Sequence, residues 1–243
     1  MNNSIIEPVD CLNYVSPEIL EELKNTRAAF LCFDRGNFRD LIELFPGRSI
    51  AGLNAAAWLT DTNVLICGRM GIGAPSAVAL LEELVAAGIS TVISYGTAGA
   101  LHDRLLAGDL AICSDAFPDE GTSRHYPDNP DIAKSSSLLL METGNFLEEK
   151  GIPFKTVKAW TTDAPFRETP EKLRHFTDLG ADVVEMEASA LYHVASYRNI
   201  DLLALFVIGD SIANDTWKPS FYDQNVRDRL LKNSLALLDL LGN

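Results

Sequence analysis

Two glutamates stand astride a methionine in the segment VVEMEASALY, residues 183–192. An apolar run leads into Glu185, Met186 and Glu187, then gives way to small residues. Burying a carboxylate without a partner is costly, so two placed this close call for a ligand that wants them. The bland alternative is a helix start, where carboxylates favour the dipole. Two glycine-rich stretches add a different chemistry. GRMGIGAPSA (68–77) follows an apolar run and opens a helical pattern. Such a turn brings backbone N–H groups to a helix N-terminus, where an anion can sit. It has neither the GxGxxG spacing of a dinucleotide site nor the lysine of a P-loop, and a tight strand-to-helix turn alone would also use these glycines. YGTAGAL (95–101) reads as a second turn after a second strand, with the Thr97 hydroxyl in it. In parallel sheets ligands bind at the C-terminal ends of the strands, so two such turns on neighbouring strands could form one cradle.

The elements that would carry these groups are legible as alternating patterns. Short apolar runs at 28–33, 63–68, 91–96, 109–114, 156–161, 181–186 and 202–209 read as strands, most of them buried on both faces. Helical patterns lie between several of them. SPEILEELKN has Ser16 as N-cap and Pro17 at the first helical position. APSAVALLEELVAAG carries Ala77, Leu80, Leu81 and Leu84 at helical spacing and stops at Gly88. EASALYHVASYRN is a third, and NVRDRLLKNSLALLDLL a closing helix with an apolar face through Leu230, Leu231, Leu235, Leu238 and Leu241. The alternation predicts an α/β fold, one domain over residues 1–243, with a largely parallel central mixed sheet flanked by helices. The breaker-rich stretch 118–131 reads as one long surface loop.

Composition narrows the function. The 243 residues are 47% hydrophobic and 22% charged, with a net charge of −14. Nucleic-acid phosphates and anionic lipid surfaces both need Lys/Arg, so neither is an expected partner. No apolar run reaches the roughly 20 residues of a membrane-spanning helix. The N-terminus has no basic region and no signal core, which points to the cytoplasm. Four scattered cysteines read as reduced thiols, and the four histidines form no metal-ligand pattern.

Taken together and in order, GIGAPSA, YGTAGAL, VVEMEASALY and IGD (208–210) resemble the nucleoside phosphorylase-I superfamily over nearly the whole chain. DEGTSRHY (119–126) and TTDAPFRET (161–169) resemble its uridine-phosphorylase-like branch. The resemblance implies phosphorolysis of a nucleoside to free base and ribose 1-phosphate, with no cofactor beyond phosphate as co-substrate. It puts the ribose hydroxyls on Glu187, the sugar floor on Met186 and a pocket wall on Glu185. A carboxylate there suits the reaction, because it stabilises an oxocarbenium-like sugar. Asp210 takes the place of the acid that protonates a purine N7. Gly71, Gly73, Thr97 and Arg39 are the phosphate candidates, and Gly99, Phe166 and Arg167 the base candidates. The pyrimidine-reading Gln and Arg fall near Thr169 and Glu171, so that signature is missing. The family's phosphate arginines fall on about Asn37, flanked by Arg35 and Arg39, and on Ser94. That gap leaves two alternatives open: a nucleoside hydrolase, with Asp34 a loose candidate for activating water, and a non-catalytic nucleoside-binding protein. The resemblance also implies a homo-oligomer built on dimers, either a dimer or a trimer of dimers, in which neighbours complete each site.

Overall fold

A computed structural model describes residues 4–126 and 131–242. Among them eleven strands form one sheet. They are β1 (Ala28–Cys32), β2 (Gly47–Ile50), β3 (Ala56–Thr60), β4 (Val64–Gly68), β5 (Thr91–Ala100), β6 (Leu110–Asp119), β7 (Ala133–Lys134), β8 (Phe154–Thr162), β9 (Val183–Glu185), β10 (Asp201–Ser211) and β11 (Lys218–Pro219). The helices are α1 (Pro8–Cys11), α2 (Pro17–Lys24), α3 (Arg35–Leu44), α4 (Ala74–Ala86), α5 (Ser137–Glu149), α6 (Pro170–Asp178), α7 (Ala188–Arg198) and α8 (Gln224–Gly242).

The sheet is mixed. β4, β1, β5 and β10 run parallel, as do β6, β8 and β9. β10 joins β6 and β5 joins β9 in antiparallel sense. These pairings close β5, β10, β6, β8 and β9 into a ring, which removes sheet edges and gathers β5, β9 and β10 at one rim. The strand alternation builds a core on each face. Ala29, Leu31, Leu65 and Cys67 pack with α4 and α7. Their neighbours Ala28, Phe30, Cys32, Val64 and Ile66 pack with α3, α5 and α8. Each fully buried large side chain here contributes roughly 1.5–3 kcal/mol.

Several helix ends follow their capping residues. Ser16 accepts the Ile19 amide at 3.3 Å and starts α2. Beyond α4, Gly88 adopts φ +102°, and the Gly88 and Ile89 amides bond the carbonyls of Val85 and Leu84, the left-handed stop that glycine favours.

Four expectations are corrected. YGTAGAL is not a turn: β5 runs on to Ala100, and its glycines serve close approach inside the sheet. A Cβ at Gly96 would lie 3.2 Å from the Phe33 Cβ. Asp210 likewise lies within β10, opposite Gly99 and just past a register shift after Ile208. The stretch 118–131 begins inside β6 and contains a 3-10 turn at Ser123–His125, while residues 127–130 lie outside the described residues. In α8 the buried face includes Leu237 as well as Leu230, Leu238 and Leu241, whereas Leu235 is exposed.

Candidate active site

β9 ends at Glu185 and α7 begins at Ala188, so the two glutamates occupy the joint between strand and helix. They divide the work. Glu185 is buried; it accepts the Thr161 hydroxyl and the backbone amides of Glu187 at 2.7 Å and Ala188 at 2.8 Å. It therefore satisfies the open N–H groups of α7. Glu187 is at the N-cap position but makes no side-chain cap bond. Its carboxylate turns away and accepts the Gly73 amide at 2.6 Å, joining the glycine-rich turn to the acidic segment. Gly71 and Gly73 have φ of +94° and +89°, a region that costs other residues strain.

Burial pushes both carboxyls up, Glu185 to about 7 and Glu187 to about 8, the second also through the charge of Glu185. Three donors converge on Glu185 and fewer on Glu187. Hydrogen bonds to an ionised carboxylate favour its charge, so of the two Glu187 is the more readily protonated.

A cavity of about 460 Å³ opens beside this joint. One wall is Val184, Glu185 and Met186; another is Thr97, Ala98 and Gly99 from β5. Asp210, Ile212, Trp217 and Phe221 close a third side, and Pro165, Phe166 and Glu168 stand at the mouth. Asp210 accepts the Trp217 indole N–H at 2.8 Å. Burial raises its pKa and the indole bond opposes that rise. Burial, followed by the charge of Asp210, raises Glu168 to about 7. Phe166 is fully exposed at the rim, which rules out core packing.

The structure thus brings together Glu185, Met186, Thr97, Gly99, Phe166 and Asp210, with Glu187 one residue away against Gly73. It does not bring Arg39 or Arg167 to this cavity. Arg39 lies on the exposed side of α3, bonded to Asp40 at 2.9 Å; it lines a separate cavity of about 680 Å³ that also contains Asp34 and touches Phe221. Arg167 points into solvent. The Gly73 amide, a phosphate candidate, is already taken by Glu187. The segment CFDRGNFRDL is the start of α3, capped by Asp34 accepting the Asn37 amide at 2.7 Å, so Asp34 is engaged away from the cavity. Asn37 is buried against Ser234 and Cys32. Arg48 pairs with Glu22. Among the described residues no cluster of His, Cys, Asp and Glu is arranged to hold a metal ion.

Glu168, Trp217 and Phe221 are cavity residues that the sequence motifs miss. Glu168 sits inside TTDAPFRET, and the aromatic density of TWKPSFYD (216–223), soon after Asp210, is the sequence signal for the other two.

Comparison with known proteins places the chain. Residues 27–241 match the model of the phosphorylase superfamily. A DeoD-type purine nucleoside phosphorylase of Alkaliphilus metalliredigens is 28% identical over 171 residues, 70% of this chain and 73% of that protein. A guanosine phosphorylase of Halorubrum lacusprofundi is 26% identical over 172 residues, 71% of each chain. The fold matches purine nucleoside phosphorylase from Toxoplasma gondii in complex with immucillin-H, with TM-score 0.77 and 17% identity over 90% of this chain and 91% of that one. It also matches uridine phosphorylase from Vibrio fischeri, with TM-score 0.75 and 23% identity over 98% and 93%. A match spanning almost the whole sheet, together with an acidic joint bonded to a glycine turn beside an open cavity, has one consequence: the chain belongs to the phosphorylase superfamily.

Proposed function

We propose that this chain is a purine nucleoside phosphorylase, splitting the N-glycosidic bond with phosphate to give free base and ribose 1-phosphate. The observation that carries the reading is the cavity bounded by Met186, Thr97, Gly99 and Asp210, with Glu187 held beside it on Gly73. In this reading Glu187 takes the ribose hydroxyls and, once ionised, steadies the positive charge developing on the sugar. Met186 supplies an apolar, polarisable floor. Glu185 holds the joint rather than the sugar. Asp210 gives its proton to the purine as the bond to the sugar breaks. Phe166 stacks on the base.

Glu168 favours a purine with N–H groups on its outer edge. It lines the cavity, and its shift comes from burial and the charge of Asp210 with no hydrogen bond opposing it, so once ionised it is an acceptor for a ring N–H. The names of the guanosine and purine phosphorylase relatives agree with this choice. The continuous sheet supports a single domain for the whole chain. Buried free thiols at Cys32, Cys67 and Cys113 support a reducing cytoplasm, and no helix among the described residues is long and apolar enough to cross a membrane. Phe166 and Trp217, exposed at 99% and 61% on the cavity, support a second copy packing near it, as a dimer or a trimer of dimers.

One observation favours a second reading. Among the described residues no Lys or Arg lines the cavity, and phosphate prefers arginine forks; a water nucleophile would make the protein a nucleoside hydrolase. Base release from a nucleoside panel, with and without phosphate, decides. Release that requires phosphate is expected. Equal release without it establishes the hydrolase, and binding without release overturns both.

A further inference from the structure

The segment between β10 and α8 folds back over the end of β10. β11 pairs Pro219 with Asp210 and Lys218 with Ser211, and the Phe221 ring lies where a Cβ on Gly209 would come within 2.8 Å of it. This fold-back delivers the Trp217 indole N–H to Oδ2 of Asp210 at 2.8 Å. The other carboxylate oxygen, Oδ1, lies over Gly99, where a Cβ would stand only 3.0 Å away. The two oxygens of the candidate acid are therefore not equivalent.

We propose that Trp217 is a positioning residue for Asp210, pinning Oδ2 through its indole N–H and reserving Oδ1 as the oxygen that carries the proton. An indole nitrogen only donates. In the neutral acid the carbonyl oxygen is the better acceptor, so the indole bond selects Oδ2 as carbonyl and leaves the O–H on Oδ1. When the bond between C1′ and N9 breaks, its electron pair enters the purine ring and the Oδ1 proton passes to N7. The nucleophile completes C1′, and Asp210 is left as a carboxylate with a charge-assisted bond to Trp217. The same bond opposes the upward shift that burial imposes on Asp210. Of the elements packed against Asp210, β5 presents Gly99 and β11 presents Pro219, with Lys218 opposite Ser211. The stretch before α6 presents Glu168, whose charge interacts with Asp210.

This inference rests on the purine-cleaving reading but not on the choice of nucleophile. The test compares Trp217→Phe with wild type on guanosine and on 7-methylguanosine, whose ring already carries the N7 charge and needs no proton. The expected result is a loss of about tenfold in kcat for guanosine, a fraction of what acid catalysis supplies, with 7-methylguanosine little changed. The alkaline limb of the guanosine profile should move to higher pH, since the acid loses a donor that held its pKa down. In an Asp210→Asn background the Trp217→Phe change should have no further effect on guanosine. Equal losses on both substrates would make Trp217 a mere wall and overturn the inference, as would no loss on either. If wild-type protein cleaves no nucleoside, the purine-cleaving reading itself fails, a different outcome from either of these.

Discussion

At the scale of single residues, the two glutamates beside Met186 show how a short motif divides its labour. Glu185 answers the amides of Glu187 and Ala188, which frees the Glu187 side chain from capping and lets it reach Gly73. The consequence is that Glu187 keeps its proton to higher pH than an ordinary carboxyl, because burial penalises its charged form and the charge of Glu185 adds to that. An acid with a pKa raised on folding stabilises the native state below its unfolded value of 4.5 and loses that contribution as pH climbs to about 8. Glu187→Gln stays neutral throughout, so its Tm relative to wild type should rise steadily between those limits and level off above them; a difference that ignores pH would contradict the assignment of the proton. The same variant should lose roughly 100-fold or more in kcat, as when a preorganised electrostatic partner of the transition state is removed. Glu168 makes a separate prediction. Its ionised form should read the N–H of 6-oxopurines, so above about pH 7, where its raised pKa lets it ionise, Glu168→Ala should lower kcat/KM for guanosine and inosine by about 10–100-fold, the worth of a hydrogen bond to a charged group. Adenosine, with an acceptor at that edge, should change little, and equal losses on all three would remove Glu168 from base selection.

At the scale of elements, the candidate site is a meeting of β5, β9 and β10, and Gly99 is the point where all three crowd together. It pairs with Val184 on one side and Asp210 on the other. A Cβ there would sit 3.1 Å from Val184 and 3.0 Å from the Asp210 carboxylate, so one of them must give way. Gly99→Ala should still fold, because no positive φ is needed, at a cost of about 1–3 kcal/mol for the crowding, and lower kcat for purine nucleosides about tenfold as Asp210 tilts from its productive geometry; an unchanged kcat would show that the carboxylate has room to spare. This crowding also explains what the sequence conceals. Buried strands such as β1 and β4 announce themselves through unbroken apolar residues, and helices such as α2 through Ser16, Pro17 and their spacing. Gly96 and Gly99 look like turn residues because close packing across a sheet selects glycine as strongly as a turn does. The start of α3 hid for a related reason: Arg35, Gly36 and Asn37 give it a weak propensity, and only the Asp34 cap and the burial of Phe38 and Leu41 hold it as helix. Glu187 and Asp210 stood out as candidates because a carboxylate at the end of an apolar run demands an explanation, and Met186 because it lies between two of them. Glu168 and Trp217 were not, because loop residues acquire meaning only when the chain folds back over β10.

At the scale of the whole molecule, the open question is charge. The chain carries −14 overall, and the cavity walls add Glu168, Glu185 and Asp210 with no cation among them. A phosphate ion entering such a field needs guanidinium groups from outside the wall. Within one chain, the exposed Arg69, just after β4, and Arg35, at the start of α3, are the candidates. A second copy is the other source. The exposed apolar residues at the cavity, Phe166 and Trp217, together with Ile72 in the glycine-rich turn, are surface that water does not favour and that a neighbouring chain would cover. If the neighbour completes the phosphate site, phosphate-dependent specific activity should fall as the protein is diluted below its association constant, while far-UV circular dichroism stays constant. Phosphate should then shift the sedimentation profile toward the larger species, since a ligand held by both chains binds the assembly in preference to the separate chains. Constant specific activity across a range where sedimentation shows the chains coming apart would mean that one chain suffices; in that case Arg69→Ala or Arg35→Ala should raise the phosphate requirement that dilution leaves unaffected.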